Sequence, residues 1–493
     1  MFSLYLFLAA LGGALIPFSL APFNIVIFSI IAPIIFLIIC YNNFNLKQKL
    51  FLGFIFGFTQ HLIGSSWVYV SIHEFGNANF LLASFLTLLF ILTLSLYAIL
   101  KVFILAKYFS EKSFINIIII FPLIWLIIDL LQSYLFTGFP WGFIGYAHLK
   151  TYLAGFAPLL SVYGITYFVT LISSIIFYIL STTNLNTISS YFSFKNISLI
   201  SVITIILITG ELLKKHEWTK PYKAPIKVAL VQGNIAQLMK WDQNHFKETI
   251  KTYLDLTNPV LDTDLIVWPE NAIIVPTPYA NELLDKIAET VAKHNSNLII
   301  GLPALEKNKK NKEIYFNTAV LLNKNTKLNY ENQNQKPEHE VLQTYKKRHL
   351  VPFGEYVPFA KYIRGLIDFF DLPMSDFSEG PDNQGLFKIN INNKLIKIAT
   401  LICFEIAYPF TVSKESKNSN IILTISNDTW FGNSLGPAQH LQIAQMRALE
   451  NQKPVIRATN NGITAIINYD GKLADIAPQF TKYTLNSLVT PRY

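Results

Sequence analysis

Charge is almost absent from the first 213 residues of this 493-residue chain, and no other sequence feature constrains the fold as strongly. Only 11 of the 71 Lys, Arg, Asp and Glu side chains precede Leu213. Soluble globular domains carry about 25% charged residues. The first part of the chain is therefore predicted to lie in lipid, and the other 60 charged side chains indicate a second, water-exposed domain.

Seven apolar stretches come close to the roughly 20 residues that a transmembrane helix needs. They cover residues 4–20, 25–40, 50–72, 80–103, 114–135, 157–180 and 197–213. No positive segment precedes the first stretch, so we interpret it as a retained helix and not as a cleaved signal peptide. With Met1 inside, the loops predicted to be cytoplasmic carry five lysines and the outer loops carry only Lys150, which places the chain after Leu213 outside.

From Ile226 onwards, short β-like runs alternate with polar helical stretches, a pattern typical of an α/β domain with buried sheets. The predicted strands cover residues 227–231, 264–268, 297–301, 316–322, 396–402, 421–426, 455–459 and 464–468. The predicted helices cover residues 244–256 and 282–293. The polar stretches 307–312 and 324–339 are predicted to be exposed loops.

Three segments at predicted strand ends could carry chemistry, because α/β folds expose reactive groups there. Glu270 follows a strand and Pro269, and a half-buried carboxyl can accept a proton near neutral pH. The basic cluster 346–348 precedes a Pro/Gly turn and could stabilise an oxyanion. Cys403 ends an apolar strand two residues before Glu405 and could be a nucleophile. Taken singly, Glu270 is better interpreted as a surface acid and the basic cluster as a solvated face, whereas Cys403 is equally a structural cysteine.

Together, Glu, Lys and Cys in this chain order resemble the triad of the nitrilase, or carbon-nitrogen hydrolase, superfamily. With the preceding spans, the chain resembles the membrane-bound apolipoprotein N-acyltransferases. The supporting stretches are 137–141 (TGFPW), 231–235 (VQGNI), 345–358, 427–432 (NDTWFG), 436–440 (GPAQH), 446–450 (MRALE) and 457–462 (RATNNG). The resemblance covers nearly the whole chain and is most specific in the second half.

The resemblance implies a role for each matching residue. It makes Glu270 the general base, Lys347 the cation that stabilises the oxyanion and Cys403 the nucleophile. Glu355 and Glu405 match supporting carboxylates, and Trp141, Trp241 and Phe404 match substrate-binding positions. Two departures stand out: Phe404 replaces a common Tyr, and the chain ends at Tyr493 without the family's apolar C-terminal span.

The implied fold is a polytopic α-helical membrane domain followed by a nitrilase-like four-layer α-β-β-α sandwich. We predict a membrane domain of about seven helices at 1–215, a linker at 216–225, a catalytic domain at 226–485 and a tail at 486–493. An apolar stretch at 356–377 is predicted to form a lipid-facing arm over the site, or else an ordinary core helix.

The implied activity moves a fatty acyl chain from a phospholipid to the N-terminal amine of a diacylglyceryl-cysteine apolipoprotein, through a thioester on Cys403. The implied setting is the bacterial inner membrane, with the catalytic domain on the periplasmic side. The expected partners are the phospholipid, the apolipoprotein and the bilayer, with no nucleic acid, no cofactor and no metal. A membrane-tethered amidase or nitrilase that uses water as acceptor is the alternative. A transporter with a regulatory domain is less consistent with the few ionisable groups in the spans, chiefly Lys101 and Asp129. An inactive lipid-binding scaffold is less consistent with the triad.

Overall fold

The structure, a computed structural model, describes residues 1–76, 78–183, 193–240, 243–326, 342–358 and 376–493. The chain forms two compact units, and each takes segments from both halves of the sequence. The membrane unit comprises Met1–His73, Asn79–Trp218 and Asn433–Glu450, and the catalytic unit comprises Glu74–Ala78, Thr219–Gly432 and Asn451–Tyr493.

The membrane unit is helical. Its main helices are α1 (Phe2–Ser19), α2 (Phe28–Cys40), α3 (Leu46–Gly64), α4 (Phe80–Tyr108), α5 (Phe121–Tyr134), α6 (Ala157–Thr182) and α7 (Phe194–Lys215), joined late in the chain by the helix Gly436–Asn451. Polar residues set some of the helix starts. Asn45 caps α3, because its side chain accepts the Gln48 N–H at 3.0 Å and its own N–H binds the Gln48 side chain at 3.2 Å.

Five helices among the described residues are long and apolar enough to cross a membrane. They are Phe2–Ser19, Phe80–Tyr108, Ile115–Thr137, Tyr152–Thr182 and Phe194–Lys215. The other two predicted spans are also helical. However, α2 has only 13 residues, and α3 carries Lys47, Lys49 and His61. The prediction of a polytopic helical membrane domain is confirmed, with five such helices.

Two ionisable side chains within the apolar helices neutralise each other. Lys101 on α4 lies 2.7 Å from Asp129 on α5, and both side chains are almost fully buried. The Lys101 ammonium also lies 4.1 Å from the Trp125 ring. A charge in an apolar interior is costly unless it is paired, so this contact favours one alignment of α4 against α5.

Within the part of the chain that the structure describes, the catalytic unit contains two six-stranded sheets. The strands are β1 (Ile226–Gln232), β2 (Leu265–Val267), β3 (Asn297–Lys307), β4 (Glu313–Leu322), β5 (Thr344–Lys346), β6 (Phe387–Ile391), β7 (Lys394–Ile402), β8 (Ile421–Ser426), β9 (Val455–Thr459), β10 (Ala465–Ile467), β11 (Leu473–Ile476) and β12 (Tyr483–Val489). The first sheet has the order β12-β1-β2-β3-β4-β5, and the second has the order β11-β10-β9-β8-β7-β6. Its main helices are α8 (Phe246–Thr257), α9 (Thr277–Lys293) and α10 (Pro409–Ser416).

Alternation along the strands explains how the layers pack. Val228 and Leu230 of β1 join Ile398 of β7 and Leu423 of β8 in a core between the two sheets. Alternate residues of the same strands face the opposite side of each sheet. Ala229 of β1, for example, belongs to a second core under α8 and α9. Two-residue periodicity thus gives central strands such as β2 and β8 two buried faces, as the predicted nitrilase-like sandwich requires.

The compact units differ from the predicted domain boundaries in two places. β12 pairs antiparallel with β1 from Ile226↔Val489 to Gln232↔Tyr483, so a boundary at residue 485 would cut a hydrogen-bonded strand. Residues Asn433–Glu450 belong to the membrane unit although they lie within the predicted catalytic domain. Linear boundaries could not reproduce this exchange of segments.

Candidate active site

Glu270, Lys347 and Cys403 all lie in the catalytic unit, each just after a strand. Glu270 follows β2 by way of Trp268 and Pro269, and Lys347 directly follows β5. Cys403 directly follows β7, which lies in the other sheet. Glu270 and Lys347 are buried, and Cys403 is partly buried. The structure therefore places these three residues at strand ends, as the sequence predicts.

Cys403 sits at a sharp turn between β7 and a short helical segment, Cys403–Ala407. Its φ of +55° lies in the left-handed region, which is strained for a residue with a β-carbon. The Ile402 N–H donates to Glu405 Oε2 at 2.8 Å and helps to hold the turn. A nucleophile on such a turn protrudes from the end of its sheet, where a substrate can reach it.

The basic side chain of Lys347 lies between two carboxylates. Its Nζ is 2.8 Å from Glu355 Oε2 and 3.5 Å from Glu270 Oε1. The Val351 N–H also donates to Glu355 Oε2, at 2.9 Å. Of the two adjacent lysines, Lys346 instead pairs with the partly exposed Glu306. This geometry favours Lys347 over Lys346 as the active-site cation.

Asn317, which the sequence did not single out, completes this group. Its Nδ2 donates to both Glu270 Oε1 and Glu355 Oε1 at 2.7 Å, so the amide bridges the two carboxylates. The residue lies on β4 and is fully buried. Because Asn317 is in the middle of a strand and not at its end, no sequence pattern distinguishes it from a structural asparagine.

Burial and charge act on Lys347 in opposite directions. Burial lowers the pKa of this ammonium, but the charges of Glu355, Glu270 and Cys403 outweigh it and raise the pKa above its ordinary value. Lys347 is therefore cationic throughout the physiological range and always has hydrogens to donate.

At the proposed nucleophile, Cys403, burial and a neighbouring charge act on the pKa in the same direction. Burial and then the Glu270 charge raise the pKa of the Cys403 thiol, and Lys347 only partly opposes them. The thiol therefore keeps its proton at neutral pH. An attack by sulfur needs a base that removes this proton as the bond forms.

Glu405 connects the lysine segment to the cysteine turn. Its Oε1 accepts the backbone N–H groups of Arg348 at 2.8 Å and His349 at 3.2 Å. Its Oε2 accepts the Tyr345 hydroxyl at 2.9 Å as well as the Ile402 N–H. Burial raises the pKa of Glu405, although these backbone hydrogen bonds oppose the shift. The carboxylate thus fixes the loop of Lys347 relative to the turn of Cys403.

Glu270 has a second support that the sequence did not reveal. The backbone N–H of Asn427, at the end of β8, donates to Glu270 Oε2 at 2.8 Å. The Asn427 side chain is held on both sides, because it donates to Gln237 at 2.8 Å and accepts the Thr429 hydroxyl at 2.9 Å. Gln237 lies in the segment after β1, so this segment contacts the residue whose backbone supports the proposed base.

Two of the three predicted substrate-binding residues lie in the described part of the chain. Phe404 is partly exposed next to the nucleophile, with its ring 5.5 Å from Tyr408. Trp141 belongs to the membrane unit, where it is almost completely buried and donates from Nε1 to Gln439 at 2.6 Å. Trp241 lies outside the described residues, as do positions 359–375 of the predicted arm.

Metal ligands are a separate question. Among the residues that the structure describes, no group of three or more His, Cys, Asp or Glu side chains could hold a metal ion. What the site does contain is an ammonium and two carboxylates in one hydrogen-bonded group, together with a thiol whose pKa responds to the charges of Glu270 and Lys347. This set is suited to acyl transfer through a covalent intermediate.

Comparison with known proteins gives matches over both halves of the chain. The family model of the apolipoprotein N-acyltransferase N-terminal domain matches residues 12–175, and the carbon-nitrogen hydrolase model matches residues 227–490. The chain is 37% identical to an apolipoprotein N-acyltransferase of Coxiella burnetii, over 98% of this chain and 93% of that protein. It is 38% identical to one of Pseudomonas aeruginosa, over 98% of this chain and 89% of that protein.

Proposed function

This chain belongs to the apolipoprotein N-acyltransferase family and is an acyltransferase, and from that premise we propose that it transfers a fatty acyl chain from a phospholipid to the N-terminal amine of a diacylglyceryl-cysteine lipoprotein. The observation that carries this proposal is the buried group Glu270–Asn317–Glu355–Lys347 beside Cys403.

In the first step, Glu270 takes the thiol proton while the Cys403 sulfur attacks the ester carbonyl carbon of the phospholipid. The carbonyl oxygen becomes an oxyanion, which Lys347 stabilises with a hydrogen directed away from Glu355 and Glu270. The tetrahedral intermediate then collapses and the carbon–oxygen bond to the glycerol breaks. The leaving alkoxide takes the proton back from Glu270 and departs as a lysophospholipid, leaving a thioester on Cys403.

In the second step, the lipoprotein's α-amine attacks the thioester carbonyl and gives a proton to Glu270. The same cation stabilises the second oxyanion. Collapse expels the Cys403 thiolate, which Glu270 reprotonates, and the product is an amide. Glu355 keeps Lys347 in place, and Glu405 fixes the two loops relative to each other.

A membrane unit suits substrates that are held in the bilayer by their acyl chains. Each buried CH₂ contributes about 0.8 kcal/mol to that anchoring, so a water-soluble enzyme would have to extract the chains at high cost. We place the protein in the bacterial inner membrane with the catalytic unit on the periplasmic side. The lysine distribution among the short loops supports this orientation. Phe404, Trp141 and Trp241 are the proposed substrate-binding residues.

Mass spectrometry of the purified protein incubated with phospholipid and no acceptor tests the proposal. The expected result is an acyl adduct on Cys403 that hydroxylamine removes, together with released lysophospholipid. Adding a diacylglyceryl-cysteine peptide should discharge the adduct and yield an N-acylated peptide.

Cys403→Ala is the matched control and should show neither adduct nor product. Lack of an adduct on the unmodified protein would refute the thioester route. Release of free fatty acid without N-acylated peptide would instead indicate a hydrolase that uses water as acceptor.

A further inference from the structure

A hydroxyl group lies beside the proposed nucleophile on the neighbouring strand. β7 and β8 run parallel with Ile402 paired to Ile425, so Cys403, which directly follows β7, comes next to Ser426, the last residue of β8. Ser426 is fully buried, and it lies close enough to Cys403 that a hydrogen bond from its side chain acts to lower the pKa of the thiol, against the larger effect of burial. The hydroxyl also donates to Asp428 Oδ1 at 2.6 Å. One hydroxyl hydrogen thus has two acceptors within reach, a carboxylate and a sulfur.

The carboxylate in this pair is itself held firmly. Asp428 forms a buried ion pair with Arg457 of β9. The Nε of Arg457 donates to the Ile463 carbonyl at 3.2 Å. Gly462 lies so close that a β-carbon there would be 2.4 Å from that of Asp428. The Asp428 side chain therefore has little freedom to move, whereas the Ser426 hydroxyl can rotate about its carbon–oxygen bond.

We propose that Ser426 is a further catalytic residue, whose hydroxyl turns its hydrogen bond from Asp428 to the Cys403 sulfur whenever that sulfur becomes negative. Asp428 and Arg457 are positioning residues in this scheme. The inference rests on the proposed role of Cys403 as nucleophile. It adds a donor to sulfur that the Glu270, Lys347 and Cys403 roles do not include.

The switch requires no transfer of the serine proton. In the resting enzyme the thiol carries its own proton, and the Ser426 O–H points to Asp428. As Glu270 removes the thiol proton, the O–H rotates and donates to the thiolate, so no covalent bond of Ser426 breaks. When the amine later expels Cys403 from the thioester, the leaving sulfur receives the same hydrogen bond. Both chemical steps therefore gain from the hydroxyl.

The charges that face the sulfur explain why such a donor is useful. Glu270 and Asp428 both oppose a negative sulfur, and Lys347 favours it but is shared with Glu355 and Glu270. A hydroxyl that donates to the thiolate and simultaneously stops donating to Asp428 stabilises charge where it develops. A neutral donor also avoids burying another charge.

Three variants of the full-length protein test the proposal. Ser426→Ala removes the hydroxyl, and Ser426→Thr keeps it. Thr424→Val is the matched control, because Thr424 lies two residues earlier on β8, is fully buried, and its hydroxyl has no hydrogen-bond partner among the described residues. The rate of Cys403 alkylation by iodoacetamide is followed from pH 6 to 9 by peptide mass spectrometry, and acyl-enzyme formation from phospholipid is followed in a single turnover.

Loss of a hydrogen bond to a charged group should slow alkylation of Ser426→Ala by about tenfold or more at every pH. Acylation should slow by a similar factor. Ser426→Thr and Thr424→Val should alkylate at nearly the rate of the unmodified protein. Alkylation of Ser426→Ala at the unmodified rate, or Ser426→Thr as slow as Ser426→Ala, would overturn the proposal.

The two readouts separate this inference from the proposed function. If the unmodified protein forms no acyl adduct, the thioester mechanism fails, while the alkylation rates still report whether Ser426 stabilises the thiolate. If the adduct forms and the alkylation rates of the Ser426 variants do not differ, only the role of Ser426 fails.

Discussion

Replacing Lys347 with methionine should lower both the folding stability and the catalytic rate of the protein. The two effects have different causes and can be measured separately. The Lys347 ammonium lies 2.8 Å from Glu355 and 3.5 Å from Glu270, and the three side chains are exposed by only 1%, 9% and 6%. Methionine keeps a similar length and removes the charge. Two buried carboxylates would then share a site that has lost its cation.

Removing one partner of a buried ion pair typically costs about 3–5 kcal/mol of folding free energy. For a unit of this size, that corresponds to a Tm lower by about 6–15 °C. Independently, loss of an oxyanion donor lowers kcat by about 100- to 1000-fold. The Lys347→Met protein should therefore be both less stable and nearly inactive.

The double variant Lys347→Met/Glu355→Gln separates the effects, because it removes one of the stranded charges without supplying an oxyanion donor. We expect differential scanning fluorimetry to recover most of the lost Tm. Lysophospholipid release should stay at the level of the single variant. Retention of more than about a tenth of the activity by Lys347→Met would exclude the oxyanion role, and activity that returns with Tm in the double variant would mean that the lysine is only structural.

Three further predictions follow from the site and its surroundings. Asn317→Leu removes both 2.7 Å donors to Glu270 and Glu355, so acyl-enzyme formation should slow by about tenfold or more; an unchanged rate would mean that Lys347 alone positions the carboxylates. Because burial and then Glu270 raise the pKa of Cys403, its alkylation should accelerate continuously from pH 6 to 9, and a plateau near neutral pH would contradict a protonated resting thiol. Burial lowers the pKa of Lys453 to about 8, so the folded state loses this proton more easily than the unfolded chain. Stability should therefore rise from about pH 8 towards the ordinary lysine pKa, and Lys453→Met should abolish that rise in Tm; an equal rise in both proteins would assign it to another group.

The candidate catalytic residues Glu270, Lys347 and Cys403 could be predicted from the sequence because they lie where strands end. Apolar runs that stop at Pro269–Glu270 or at Cys403 have a local signature, and the structure has strands at all eight predicted positions. Strand ends on different sheets are brought together by the order of the strands in each sheet. That order cannot be predicted from any single segment of the sequence. That Glu270, Lys347 and Cys403 should form one group was therefore an inference from the family resemblance and not from spacing.

The residues that support this group had no comparable signal. Asn317 lies inside β4, and its function depends on two carboxylates that are 47 and 38 residues away in the chain. Asn427 acts on Glu270 through its backbone, so its side-chain type does not reveal the contact. Short strands such as β5 and β11 were missed because three or four residues carry too little periodicity.

Two of the predicted membrane spans differ from the observed helix bounds for a related reason. Hydropathy reports how apolar a stretch is, whereas the helix bounds depend on caps and turns. The stretch predicted at 25–40 became the 13-residue α2, because residues 20–27 form a turn before it. The predicted span at 50–72 became α3, which starts earlier at the Asn45 cap and carries lysines in its first turn.

The exchange of segments between the two units has a consequence for biosynthesis. Trp141 is made early, yet its hydrogen-bond acceptor Gln439 emerges from the ribosome about 300 residues later. Tyr146 likewise accepts a hydrogen bond from Arg447, which is synthesised much later. In α6, the Val162 N–H donates at 2.8 Å to the carboxylate of Glu450, which is also synthesised late. The early helices can insert as they are translated, but their packing cannot be completed until most of the catalytic unit has been synthesised. A fragment that stops at residue 218 would lack all three contacts, so the membrane unit should mature only as part of the whole polypeptide.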